Sequence, residues 1–331
     1  VGSEMCIRDR FGVVAGALRS NLEIPKQIAK FLSLYLLMAL GLKGGFALAK
    51  SGFGPEVLIS LSAAVIMAFI VPSIGYLFLR GRIKNFDAAA IAAAYGSVSA
   101  VTFVTAMQFL ESNGLQFGGH MAVAMVLMES PAIIMAVLLA NTLRHSTSTI
   151  IVSGGSTAAI GSIPTTGDLS VRKILHESFT DGAHLLLLGS MAVGLISGEA
   201  GKAVMQPFSG DLFKGMLAFF LLDMGLMVAR NFRDARDASP ILLAYAGLSP
   251  LVHAGIALCL GYTLGMSAAD TALLMVLSAS ASYIVVPAVL RYAIPEANPA
   301  LYFGLSLGIT FPLNILIGIP LYTSIAQQVL G

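Results

Sequence analysis

The sequence predicts an all-α polytopic membrane protein: two inverted repeats of five transmembrane helices, with discontinuous or irregular fourth and ninth helices. Three observations carry that prediction. First, long stretches hold no charged residue: thirty-two residues over 238–269 and thirty-five over 297–331. About 20 mostly apolar residues suffice to cross the hydrocarbon core. Second, special residues recur in the two halves of the chain at one constant offset. Third, cationic residues gather in alternate connections. Composition agrees, since 11% of the 331 residues are charged, against roughly 25% in soluble domains. No stretch is long and polar enough for a separate soluble domain, and no nucleic-acid module is visible. Cys6 and Cys259 supply neither a disulfide framework nor a metal spacing.

Val1–Arg10 (VGSEMCIRDR) carries four charges before the chain turns apolar at Phe11. It reads as a non-native artefact and is set aside. The first repeat is expected over 11–143, with helices near 11–20 (truncated), 25–48, 56–80, 86–110 and 118–143. Pro25 opens the second helix, where a missing N–H does no harm. Residues 144–176 form the one long connection. Rich in Ser, Thr and Gly, it reads as a cytoplasmic linker. The second repeat is expected over 177–331, with helices near 177–198, 212–231, 239–265, 269–292 and 298–329. Pro240 starts its third helix.

At an offset of 181 residues, Gly44 falls on Gly225, Ser97 on Ser278, Ser99 on Ser280 and Pro131 on Pro312. Each half has an odd number of crossings, so the second half enters the bilayer upside down, as in many secondary transporters. Charge tests this independently. Connections after odd-numbered helices carry Arg19, Lys26, Arg80, Arg82, Lys84, Arg144, Arg172, Lys173, Arg230, Arg233, Arg236 and Arg291. Those between them carry Lys50, Lys202 and Lys214. The asymmetry puts the odd connections in the cytoplasm and both termini outside.

The fourth helix contains Tyr95-Gly96-Ser97-Val98-Ser99-Ala100-Val101-Thr102, and its mate Leu277-Ser278-Ala279-Ser280-Ala281-Ser282-Tyr283. Small hydroxyl residues at matching mid-membrane depth suggest broken helices lining a cavity. There a helix N-terminus binds an anion, while freed carbonyls and hydroxyls suit Na⁺. Small-residue runs also serve close helix packing, and that reading stays beside the first. Glu129, next to Ser130-Pro131, is an ionisable group inside a helix, hence a candidate Na⁺ ligand or coupling carboxylate. Its mate region offers Thr310 and Asn314 as neutral oxygen donors. Lys43 and Asp223 lie at nearly equivalent depth, which suggests an intramembrane pair, with snorkelling of Lys43 as the alternative. His253, after Ser249-Pro250, reads as a core group or a proton relay. His176, Glu177 and His184 lack the spacing of a metal motif. No nucleophile–base pair or metal cluster marks an enzyme, and no cofactor motif is present.

The residues that remain resemble the sodium-dependent bicarbonate permease family. They are Gly41-Leu42-Lys43-Gly44-Gly45-Phe46-Ala47, Gly96–Thr102 with Glu111-Ser112, and Ser130-Pro131-Ala132 with Ala140-Asn141. In the second half they are Asp211–Gly215, Pro250–His253, and Leu290-Arg291 through Ile294-Pro295-Glu296-Ala297-Asn298-Pro299. The resemblance spans about Phe11 to Gln328. It implies a Na⁺/bicarbonate symporter in the bacterial inner membrane, with a core domain moving against a gate domain in a trimer. It implies bicarbonate binding at Gly96, Ser97, Ser99, Thr102, Ser278, Ser280 and Ser282, with Na⁺ as coupling ion. Glu129 stands where such proteins place an Asp. A PII-like cytoplasmic regulator would dock on the Arg144–Lys173 connection. One departure concerns Tyr283, Ile284, Val285 and Val286, which stand where the family usually has an Asp and then a Ser-Gly pair. It leaves open another organic anion, a proton-coupled exchanger, or a non-transporting membrane receptor.

Overall fold

The computed structural model describes residues 24–52, 54–152, 182–236, 238–283, 286–287, 289–290 and 294–331. The decapeptide, the expected first helix near 11–20 and most of the linker lie outside the described residues. The described residues are all-helical, apart from one isolated bridge between Arg80 and Ile83. Five helical segments among them are long and apolar enough to cross a membrane: 27–50, 55–79, 85–112, 240–264 and 299–330.

The first helix described, α1 (Lys26–Ser51), starts after Pro25 and stops at Gly52, whose φ of 74° few other residues adopt. Next, α2 (Pro55–Leu79) opens on a proline and carries Pro72 inside. The next span is split into α3 (Asn85–Gly96) and α4 (Ala100–Ser112). The following helix, α5 (Met121–Val152), continues past the expected end at 143. In the second half, α6 (Gly182–Gln206) kinks at Gly198 with φ 55° and ψ −145°, where the sequence predicts a helix end. A π-turn over Pro207–Asp211 leads into α7 (Leu212–Arg236), followed by α8 (Pro240–Leu264) and the short α9 (Ala268–Ala279). The last, α10 (Pro299–Leu330), has π-turns at Ser306–Thr310 and Asn314–Gly318 on either side of Pro312. Pro312 offers no N–H to the preceding turn, and the helix widens around the gap.

Glycines in the GLKGGFA run decide how α1 packs. A Cβ on Gly41 would lie 2.0 Å from Ser190 Oγ, and one on Gly45 would lie 2.1 Å from the Met191 carbonyl. From the facing side, a Cβ on Gly194 would lie 2.6 Å from the Leu42 carbonyl. The backbones of α1 and α6 therefore touch, as small residues permit in membranes. Gly44, on another face, meets the Gly119 carbonyl, 3.1 Å from where its Cβ would stand. Lys43 is left to reach Glu111 at the end of α4.

Burial sorts the spans. Within 85–112, 94% of the most apolar window is buried, against 44% in α2 and 44% in α8. From Ala269 to Ala279 every residue of α9 is buried as well. Large apolar residues such as Leu58 on α2 and Phe219 on α7 stay exposed, as lipid-facing residues do. The broken helices thus occupy the interior, where irregular backbone is tolerated in a bilayer protein.

The IPEANPA run has a structural meaning. The Arg144 guanidinium donates to both Glu296 carboxylate oxygens at 2.8 Å, joining α5 to the connection before α10. Ile294 and Ala297 are buried, and Asn298 Oδ1 accepts the Ala300 N–H at 3.1 Å to cap α10. The hydrogen bond from Arg144 holds the Glu296 carboxyl below its ordinary value of 4.5. A lowered carboxyl pKa stabilises the fold above that value, and the contribution fades as pH falls through the folded-state pKa. Thermal unfolding in detergent should therefore show an acid-side loss below about pH 4.5 that Arg144→Gln diminishes. An unchanged acid limb would assign this pair no role in stability.

Candidate functional site

The chain between α3 and α4 leaves the helical region at Ser97 (φ −94°, ψ 177°) and Ser99 (φ −105°, ψ 110°). Ser hydroxyls compete with the backbone for local bonds, which is why they end and start helices. Ser99 Oγ caps α4 by accepting the Thr102 N–H at 3.2 Å, and the Thr102 hydroxyl lies 3.0 Å from it. Gly96 fits against Pro72, since a Cβ there would come within 2.5 Å of the proline ring. The second break has the same origin. Ser280 is extended (φ −80°, ψ 166°) and its hydroxyl donates to the Leu277 carbonyl at 2.8 Å. Ser282 Oγ accepts the Val286 N–H at 3.3 Å.

The two breaks meet. The Ser99 N–H donates to Ser280 Oγ at 3.0 Å across 181 residues of sequence, and the Ser282 N–H donates to the Ala94 carbonyl at 2.8 Å. Ser97 Oγ and Ser278 Oγ, themselves 181 residues apart, are buried and bond no atom of the described residues. Leaving a hydroxyl so costs about 1–3 kcal/mol. The N-terminus of α4 carries partial positive charge, while the C-termini of α3 and α9 carry partial negative charge. One small region therefore offers donors suited to an anion and carbonyl ends suited to a cation.

Of the other candidates, Asn314 and Thr310 bond residues beside this crossing. Asn314 Nδ2 donates to the Ala279 carbonyl at 2.8 Å, capping α9, and its Oδ1 accepts from the Tyr322 hydroxyl at 3.1 Å. Thr310 Oγ1 donates to the Ala246 carbonyl at 2.9 Å and lies 2.7 Å from the Tyr95 hydroxyl. The π-turns of α10 bring both residues inward. Glu129 is buried in α5 two residues before Pro131. His253 is buried with its ring against the Ser278 backbone. The Lys43 ammonium bonds Glu111, at 2.9 and 3.2 Å, where depth and sign in the sequence suggested Asp223. The cause is topological, because Lys43 projects from the glycine-packed α1 toward the end of α4. Asp223 is buried in α7.

Two carboxylates escaped the sequence reading. Asp87 Oδ1 accepts the Asn298 N–H at 2.7 Å, and Asp270 Oδ1 accepts the Gly118 N–H at 2.7 Å. Each sits in the first turn of a short broken helix and ties it to the connection before the last helix of the other half. His120 Nε2 lies 3.9 Å from the other oxygen of Asp270. A signal existed: Asp270 is the only charged residue between Asp237 and Arg291, and Asp87 the only one between Lys84 and Glu111. Hydrogen bonds to charged groups contribute about 1.5–3 kcal/mol. Asp270→Ala should lower thermal stability by that order, and Asp270→Asn, which keeps an acceptor, should recover part of it. Equal losses in the two variants would speak against this anchoring role.

No curated protein matches the chain. The family model described as the Na⁺-dependent bicarbonate transporter superfamily matches residues 10–327, nearly the whole chain. With its membrane-length helices and internal helix breaks, the chain is an integral membrane protein and belongs to the Na⁺-dependent bicarbonate transporter superfamily.

Proposed function

We propose that the chain is a secondary active transporter, a Na⁺-coupled symporter of bicarbonate or a similar small anion. The observation that carries this reading is the crossing of the two breaks: Ser99 N–H on Ser280 Oγ, with the Ser97 and Ser278 hydroxyls buried and bonded to no atom of the described residues. The anion would bind at Gly96, Ser97, Ser99, Thr102, Ser278, Ser280 and Ser282, using the N-terminus of α4 and the serine hydroxyls. Sodium would take oxygen from Glu129, Thr310 and Asn314 beside the C-terminal ends of α3 and α9. Threonine hydroxyls and amide carbonyls each retain acceptor capacity for this. The inverted five-helix repeat is part of the proposal. The reciprocal Asp87–Asn298 and Asp270–Gly118 bonds and the constant 181-residue spacing support it. A trimer, a bacterial inner-membrane location with both termini outside, and a PII-like regulator on the Arg144–Lys173 connection complete it.

The deciding experiment measures labelled bicarbonate uptake into proteoliposomes with and without an inward Na⁺ gradient. Gradient-dependent accumulation is expected, and uptake indifferent to Na⁺ and to bicarbonate supply would refute the proposal. One observation favours a second reading, an organic anion or proton coupling. Tyr283 fills its position with a buried phenol whose ring packs edge-on to Phe311 at 5.4 Å between centroids. Its hydroxyl lies 3.7 Å from Met224 Sδ, and position 283 itself supplies no carboxylate. A flux driven by a pH gradient without Na⁺ would select that reading.

A further inference from the structure

The lysines that the charge pattern sets apart from the rest converge in the fold. Lys50, Lys202 and Lys214, with Lys43, Glu111 and Asp211, line one cavity of about 750 Å³. It lies where the ends of α1, α4 and α6 and the start of α7 come together. Among the described residues, its four lysines face two carboxylates. Glu199, outside the lining, answers Lys202 at 3.6 Å, but both partners are exposed and such a pair contributes little. The cavity is therefore cationic, and concave walls of one sign raise the local concentration of the opposite ion.

Lys43 is the innermost of the four, seven residues before Lys50 on α1 and so roughly 10 Å deeper. Its ammonium donates to both oxygens of Glu111 and stands 4.3 Å above the centre of the Phe213 ring. Glu111 and Ser99 lie at opposite ends of α4, so the cavity and the serine crossing are joined by a single helix. A carboxylate and bicarbonate share a planar O–C–O group of the same charge. Glu111 thus presents to Lys43 the group that a small carboxylate-like oxyanion would present.

We propose that this vestibule is an anion site distinct from the serine crossing, where a small planar oxyanion takes the place of the Glu111 carboxylate on Lys43. Lys50, Lys202 and Lys214 gather the anion from solution. That it feeds a transport site rests on the function proposed above; the binding itself does not.

The chain has no tryptophan, so Phe117→Trp, at a residue that lines the cavity, provides a single fluorescent reporter in detergent without any need for transport. Quenching by iodide is compared with quenching by neutral acrylamide. The iodide-to-acrylamide ratio should fall about threefold when Lys50, Lys202 and Lys214, all exposed, become Gln. Replacing chloride by bicarbonate or acetate at constant ionic strength should relieve iodide quenching, and Glu111→Gln should strengthen it. If Phe117→Trp does not fold, Gln116→Trp reports from the same wall. A ratio unchanged by removing the three lysines, or chloride matching bicarbonate and acetate, would overturn the proposal. Loss of Na⁺-driven uptake with these quenching results intact would count against the transport reading alone.

Discussion

Ser99→Leu and Ser280→Leu should each abolish gradient-driven uptake while leaving a folded helical protein. The Ser280 hydroxyl has two tasks, donating to the Leu277 carbonyl and accepting the Ser99 N–H. Leucine removes both and leaves the Ser99 N–H buried without a partner, at about 1–3 kcal/mol. Its branched side chain must also enter a crossing built mainly from serine, alanine and glycine, which adds about 1–3 kcal/mol of overpacking. Ser99→Leu removes the cap of α4 and the group that orients Thr102. A displacement of either break separates the donors of one half from those of the other. Each 1.4 kcal/mol lost at the bound solute is about a tenfold loss in affinity, so uptake should fall below detection. Elution as a single species in size-exclusion chromatography, with unchanged helical circular dichroism, would establish that the fold survives. Uptake near that of the unmodified protein would remove the crossing from the mechanism.

Gly45→Val should instead damage the fold. A Cβ at position 45 meets main-chain atoms, the Met191 carbonyl at 2.1 Å and the Leu195 nitrogen at 2.7 Å, so no side-chain rotation relieves the clash. Helix α1 has to separate from α6. That costs dispersion contacts along their whole length, since lipid offers no hydrophobic drive to restore them. The expected loss is about 3 kcal/mol, the upper part of the range for overpacked cores. Thermal unfolding in detergent should register it, together with lower recovery from membranes. Gly215→Val is the control, because nothing lies within 4 Å of a Cβ there. Equal stability of the two variants would disprove the close α1–α6 contact.

Charge-free runs made the membrane class legible in the sequence, and the paired serine clusters located the breaks to within a few residues. Both follow from local chemistry: the bilayer rejects charge, and hydroxyl side chains compete with the helix backbone. Partners were harder to read. Lys43 and Asp223 matched in depth and sign, yet Lys43 bonds Glu111, because the glycines at 41 and 45 fix which way α1 faces. Asp87 and Asp270 stand in the first turns of α3 and α9. Their partners, the Asn298 and Gly118 N–H groups, lie 211 and 152 residues away, and backbone donors leave no mark in composition.

By itself the sequence determined the class of protein and the two places where helices break. Each of these depends on what a short segment can satisfy within itself or against lipid. Only the tertiary structure decided that the breaks touch, that α10 widens around Pro312 to bring Thr310 and Asn314 inward, and that four lysines share one cavity. These are encounters between segments distant along the chain. Close packing of glycine-faced helices selects among them, and no local pattern records that selection.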